Sequence, residues 1–373
     1  MKALVKPEGS FISYFSNLVK QYGGVNLAQG IPGFDPPRLL VEELKKISVG
    51  NFHQYAPGVG NFELRNLLKK HFGLSDDNLL VVQGATEGLS LIYTYLLRKL
   101  NGNFSVLSFD PAYESYSKLP EIFGQRFIPF HFGDDGHVNF QELEKTVTNQ
   151  NVKLIFVSSP GNPFGNVWSK NDIVALVNLA NKLDFYLVFD AVYQDLYFYD
   201  KPYIPVDLLS DRLFIVSSFS KSLCITGWRV GYILHHDSHC TGLRAIHDYI
   251  GLCAPSLLQQ ALAGYLEKSN FAADFTADLR EKVLKSFSLL SNTLLKKGFT
   301  IPKIDGGCFI WAKLPDGWTD GFNFAAELYT KRKVAVIPGE HFSKEKQNWI
   351  RLNIARPISE IEQACYEIND FIK

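Results

Sequence analysis

Short apolar runs alternate with amphipathic stretches through the middle of the chain, and this alternation predicts its elements. Leu79-Leu80-Val81-Val82 reads as a buried strand, followed by Gly84 and a helical run from Ala85 to Leu97. Phe104–Leu107, Leu154–Val157, Tyr186–Phe189 and Leu213–Val216 read as further strands. Ser169-Lys170-Asn171-Asp172 has the form of a capping box, and after it Ile173, Leu176, Val177, Ala180 and Leu183 recur at helical spacing. Strands alternating with helices imply right-handed crossovers and a mainly parallel sheet covered on both faces. The last third differs. Residues 266–297 read as a long helix beginning near Asn270, then come the strand-like runs Cys308–Trp311, Val334–Ile337 and Trp349–Asn353 and a closing helix, Ile358–Ile372. That order predicts a smaller α+β domain. The expected division is a large domain over 36–265 and a small one built from 1–35 and 266–373.

The 373 residues are 46% apolar, with 29 Phe and 17 Tyr, so material for two cores is ample. Net charge is zero, which gives no global field favouring nucleic acid or a membrane surface. No apolar run approaches the about 20 residues of a membrane span. The N-terminus lacks the apolar core and cleavage site of a signal peptide. Five cysteines are scattered without any CxxC pair, which predicts reduced thiols in the cytoplasm and neither a disulfide framework nor a metal site. His235-His236-Asp237-Ser238-His239-Cys240 has no regular ligand spacing and is expected to be a solvated surface loop. Gly58-Val59-Gly60 follows no clear strand and lacks the third glycine of a nucleotide loop.

The distinctive polar residues fall just after the expected strands, where ligands bind in an open α/β sheet. Lys221 stands in Ser217-Ser218-Phe219-Ser220-Lys221, with Arg229 eight residues on. A lysine there can form a Schiff base with an aldehyde cofactor, and Ser218, Ser220 and Arg229 can hold that cofactor's phosphate. A solvent lysine in a Ser-rich loop is the alternative. Asp190 follows a strand and is either a helix cap or a carboxylate paired with a pyridinium nitrogen. Tyr193 and Asn162 can reach the ring's phenolic oxygen, although Pro160-Gly161-Asn162-Pro163 is also an ordinary turn. Gly84-Ala85-Thr86 opens a helix whose free N–H groups suit a phosphate. Arg351 lies within a strand; such arginines commonly face solvent, but this one can also clamp a carboxylate.

With Asn26-Leu27-Ala28-Gln29-Gly30-Ile31-Pro32, Gln54-Tyr55, Asp110-Pro111-Ala112-Tyr113, Asn162-Pro163, Asp190-x-x-Tyr193 and Ser218-x-Ser220-Lys221 in this order, the chain resembles the class I, fold-type I aminotransferases that depend on pyridoxal 5'-phosphate. Within them it is most similar to the kynurenine, glutamine and methionine aminotransferase branch. The resemblance implies an α/β fold of the aspartate-aminotransferase type, a mainly parallel seven-stranded sheet sandwiched by helices plus a smaller α+β domain. It implies that Lys221 carries the cofactor, Asp190 pairs with its ring nitrogen, and Asn162 and Tyr193 bind its ring oxygen. Tyr113 would stack on the ring, and Gly84, Ala85, Thr86, Ser218, Ser220 and Arg229 would surround the phosphate. Tyr55 would reach the phosphate of a neighbouring subunit, which implies a homodimer with shared active sites. Arg351 and the Gly30 backbone would hold the substrate carboxylate, and Leu252 and Cys253 would wall the partner's side-chain pocket. Phe164 stands where many relatives have a threonine, and no second arginine for an acidic side chain is evident.

The expected reaction is ping-pong transamination between an amino acid and a 2-oxo acid, both small molecules, with a neutral donor such as methionine, glutamine or an aromatic amino acid. Two other readings compete. A carbon–sulfur β-lyase acting on cysteine conjugates would share the lysine and aspartate. An aminotransferase-like sensor of a transcription regulator would need a basic DNA-binding domain ahead of residue 26, where none is expected.

Overall fold

The computed structural model describes residues 4–132 and 137–372. Residues 1–3 and 373, at the ends of the expected small domain, and 133–136, within the expected large one, lie outside the described residues. Among the described residues twelve strands fall into three sheets. They are β1 (Val25–Asn26), β2 (Leu79–Val82), β3 (Ser105–Asp110), β4 (Arg126–His131), β5 (Val152–Ser158), β6 (Tyr186–Asp190), β7 (Leu213–Ser218), β8 (Gly231–His235), β9 (Phe309–Lys313), β10 (Val334–Ala335), β11 (Ile337–Pro338) and β12 (Trp349–Asn353).

The main sheet has seven strands in the order β2-β8-β7-β6-β5-β3-β4. Every pair from β7 through β4 is parallel, while β8 runs antiparallel to both β7 and β2. This reversal matters for the site. It brings the start of β8, just after Arg229, to the edge where β2 and β7 end: Gly231 sits opposite both Val82 and Ser218. Alternation along β2 covers the two faces, Leu79 and Val81 packing into one core and Leu80 and Val82 into the other. Each such side chain contributes about 1.5–3 kcal/mol on burial. A further core gathers Phe11, Phe15 and Leu27 from the N-terminal segment with Phe309, Ile350 and Tyr329 from the last third.

Local rules account for several boundaries. The Ser169 hydroxyl accepts from the Asp172 N–H at 3.1 Å and donates to its carboxylate at 2.7 Å, starting the helix Lys170–Leu183. Other boundaries differ from expectation. The stretch 266–297 is broken: one helix ends at Lys268, and the next, Ala273–Lys296, follows Asn270, Phe271 and Ala272, with φ of 45°, 59° and 64°. Three successive residues in the left-handed region cannot continue a right-handed helix. Val334–Ile337 is two strands serving two sheets, β10 beside β1 and β11 beside β12. Strand β4 went unpredicted because it is an exposed edge carrying Pro129, and β8 because it begins inside the Arg229-Val230-Gly231 turn.

The expected surface loop at 235–240 is wrong for two of its histidines. His235 ends β8 and is 1% exposed; His239 is fully buried. His239 sits among Phe214, Tyr95 and Tyr186, with Tyr95 Oη 2.9 Å from Nδ1 and the Asp211 carbonyl 2.9 Å from Nε2. Burial pushes the pKa of each down to about 4. Among the described residues no group of His, Cys, Asp and Glu could hold a metal ion, and no helix is long and apolar enough to cross a membrane.

Candidate active site

The carboxyl ends of β3, β5, β6 and β7, adjacent in the sheet or nearly so, open on one cavity. Its wall includes twelve of the residues singled out in the sequence: Gly30, Ala85, Thr86, Tyr113, Asn162, Asp190, Tyr193, Ser218, Ser220, Lys221, Arg229 and Arg351. Gly84 is the residue that caps the helix Ala85–Lys99 at the same edge. Three others lie off the cavity: Tyr55, 82% exposed, Leu252, 44% exposed, and Cys253, partly exposed.

Lys221 sits in the one-turn helix Phe219–Ser222 that β7 runs into. Its Nζ donates to the Gly30 carbonyl at 2.6 Å. Burial lowers its pKa, with Arg351 and Arg229 pushing the same way against Asp190, so the ammonium is destabilised there. Asp190 ends β6. Its Oδ2 accepts from the Tyr116 hydroxyl at 2.7 Å and its Oδ1 from the Val192 N–H at 3.0 Å. Burial raises its pKa despite these donors and nearby Lys221. Tyr116 itself is stacked on Phe156, ring centroids 4.9 Å apart, so the hydroxyl is aimed by packing.

The opposite end of the cavity is cationic. Arg229, at φ 56°, turns its guanidinium back to the β2 end, where Nη1 donates to the Thr226 carbonyl and Nη2 to the Gln83 carbonyl, both at 3.1 Å. Gly84 must be glycine there: its φ is 81°, and a Cβ would come within 2.5 Å of Arg229 Nη2. The helix Ala85–Lys99 then points its free N–H groups at the same place.

Arg351 is on β12, and it does not face solvent: it is 1% exposed. The guanidinium carbon lies 4.1 Å from the ring centre of Phe309 and 4.6 Å from that of Phe342. Nη1 donates to Asn162 Oδ1 at 3.0 Å and Nη2 to the Ala28 carbonyl at 2.8 Å, while the buried Nε has no partner. Burial lowers its pKa to about 10, still cationic at neutral pH. Two residues along the strand, Asn353 Nδ2 donates to the Gln29 and Ile31 carbonyls at 2.6 and 2.8 Å. The N-terminal segment is thereby strapped across the cavity with the Gly30 carbonyl against Lys221.

The residues present fit pyridoxal phosphate. A buried carboxylate whose anion is disfavoured until a cation joins it suits a ring nitrogen. The cradle of Gly84, Arg229 and a helix N-terminus suits a phosphate, and a lysine amine with a lowered pKa suits an aldehyde. Sequence reasoning passed over Tyr116, Glu114, Phe309 and Ser158, all in the wall. Tyr116 had a usable signal, three residues after Tyr113 at helical spacing. Phe309 had none, because only the packing of β9 on β12 sets it beside Arg351.

Comparison with known proteins agrees with this geometry. Residues 22–368 match the family model of aminotransferase class I and II. A probable aspartate aminotransferase of Methanocaldococcus jannaschii is 29% identical over 94% of this chain and 93% of its own length. The methionine aminotransferase of Escherichia coli is 30% identical over 88% and 86%. Among solved structures, an Escherichia coli protein identified as having a methionine aminotransferase function superposes with a TM-score of 0.87 at 26% identity, covering 98% of this chain and all of that one. The Thermotoga maritima aspartate aminotransferase gives 0.85 at 27% identity, covering 96% and 95%. Fold, cavity and family model together make the chain a member of the class I and II aminotransferases, enzymes that use pyridoxal 5'-phosphate to move amino groups between amino acids and 2-oxo acids.

Proposed function

We propose that this aminotransferase takes a neutral amino donor, of the methionine, glutamine or aromatic kind, and works by a ping-pong sequence. The observation that carries the reading is the convergence of Lys221, a buried Asp190 and a buried Arg351 on one cavity. Bound pyridoxal phosphate supplies an aldehyde for the donor's amine and a ring that withdraws electrons from the Cα–H bond. Arg351 holds the donor's α-carboxylate, helped by the Gly30 backbone, and so orients that bond. Lys221 Nζ, on the wall of the same cavity, would be the base that takes the Cα proton and the acid that gives it back. Asp190, held by Tyr116, would keep the ring nitrogen protonated; Asn162 and Tyr193 would bind the ring oxygen and Tyr113 would cover the ring face. Ala85, Thr86, Ser218, Ser220 and Arg229 would hold the phosphate, with Gly84 making room for the arginine. Among the described residues the cations of the cavity wall are Lys221, Arg229 and Arg351, each already given a task, which supports a donor without an acidic side chain.

The exposed Tyr55, Leu252 and Cys253 support a homodimer in which each subunit contributes them to the partner's site. A core drawn mainly from 1–35 and the last third supports a small domain of 1–35 with 266–373 beside a large one over 36–265, although Tyr193 and Leu196 join that core and Leu266 and Ala272 join the large one. All five cysteines are free, which supports a reducing, cytoplasmic setting.

The test is a half-reaction. Holoenzyme given methionine or glutamine without an acceptor should release one equivalent of 2-oxo acid per site as the cofactor absorbance changes, and Lys221→Ala should abolish turnover. Near wild-type turnover by that variant, or a strong preference for aspartate over every neutral donor, overturns the reading. Pyruvate and ammonia accumulating from a cysteine conjugate would mean β-elimination instead.

A further inference from the structure

Among the described charged residues of the cavity wall, Glu114 is the one to which the amino-transfer reading gives no task. Lys221, Arg229, Arg351 and Asp190 are the other four, and each has one. Glu114 opens the helix Glu114–Ile122 directly after Tyr113, and its side chain is 28% exposed. His341 backs it from the opposite side of the cleft, Nε2 lying 2.7 Å from Oε2 at only 7% side-chain exposure. The His341 ring meets those of Phe11 and Phe342 edge-on, at 5.7 and 4.8 Å between centres, so the support is itself packed in place. Burial pushes the Glu114 pKa up, but His341 and the charge of Arg351 outweigh it and hold the carboxyl below its ordinary range, an anion at neutral pH.

A carboxylate accepts hydrogen bonds and donates none. A substrate side chain reaching it gains if it carries an N–H, and loses if it brings a second carboxylate beside the first. We propose that Glu114, held by His341, is a specificity-determining residue: it favours donors whose side chain ends in a hydrogen-bond donor, amides of the glutamine type included, and turns acidic side chains away. This rests on Arg351 holding the α-carboxylate, since that anchor leaves the rest of the wall to the side chain.

The test follows the half-reaction of holoenzyme with glutamate, methionine and glutamine in wild type, Glu114→Gln and Glu114→Ala. The glutamate-to-methionine ratio of kcat/KM should rise about tenfold in both variants, and the glutamine-to-methionine ratio should fall about threefold in Glu114→Ala. Both are ratios on one preparation, so a partly misfolded variant leaves them readable. A glutamate-to-methionine ratio within about twofold of wild type in both variants overturns the proposal. Failure of the underlying reading looks different: wild type would move no amino group from any of the three donors, and the proposal would fall with it.

Discussion

Arg351→Lys tests the carboxylate anchor most directly, because it keeps the charge and removes the fork. In the structure one guanidinium does three things at once. It donates to Asn162 at 3.0 Å and to the Ala28 carbonyl at 2.8 Å, and it is sandwiched between Phe309 and Phe342. An ammonium is a point charge on a flexible stem and cannot span Asn162, Ala28 and a bidentate carboxylate together. Charge-assisted hydrogen bonds contribute about 1.5–3 kcal/mol each, so losing one of a pair to the substrate lowers kcat/KM by roughly 10- to 150-fold. The assay compares an L-amino acid with the primary amine of the same side chain that lacks the carboxylate, both followed through the half-reaction. The substitution should cost the amino acid that factor and the amine almost nothing. Equal losses for both would mean that Arg351 shapes the cavity rather than binding carboxylate; no loss for either would refute the reasoning. Cofactor binding by the variant checks that the buried site still forms.

Further outcomes follow from other contacts. Asp190→Asn keeps the size and the Tyr116 contact but removes the anion, and should lower kcat by about a hundredfold or more, measured by single turnover at saturating donor. Gly84→Ala puts a Cβ 2.5 Å from Arg229 Nη2 at φ 81° and ψ 166°, a strain of about 1–3 kcal/mol, and should weaken pyridoxal phosphate binding about tenfold in an absorbance titration. His235 and His239 have pKa values lowered from 6.5 to about 4, so the unfolded chain takes up their protons first. The stability they confer by staying neutral is complete above pH 6.5 and lost as pH falls toward 4. That loss is on the order of 3 kcal/mol for each histidine at most. The urea midpoint should therefore drop steeply across this window, and His239→Gln should flatten the drop.

Alternation of apolar runs was enough to read most strands of the main sheet and the polar residues at their ends, because a buried parallel strand must be apolar throughout and its ligand-binding loop must not be. The ordered motifs from Asn26 to Arg351 carried the family for the same local reason: each needs its residue types at short spacing. Elements whose character is set by neighbours escaped. Strand β4 is an exposed edge strand interrupted by Pro129, and His235 and His239 look solvated because only the fold encloses them. Arg351 is the sharpest case. As a strand arginine it was equally readable as a surface residue. Its burial, its aromatic sandwich and its bond to Asn162, 189 residues away in the chain, exist only because β12 packs across the end of the main sheet. Sequence by itself determined which chemical groups the chain carries and which elements bear them. Tertiary structure decided which groups meet, because burial and charge pairing arise between segments distant in the chain and local pattern holds no record of them.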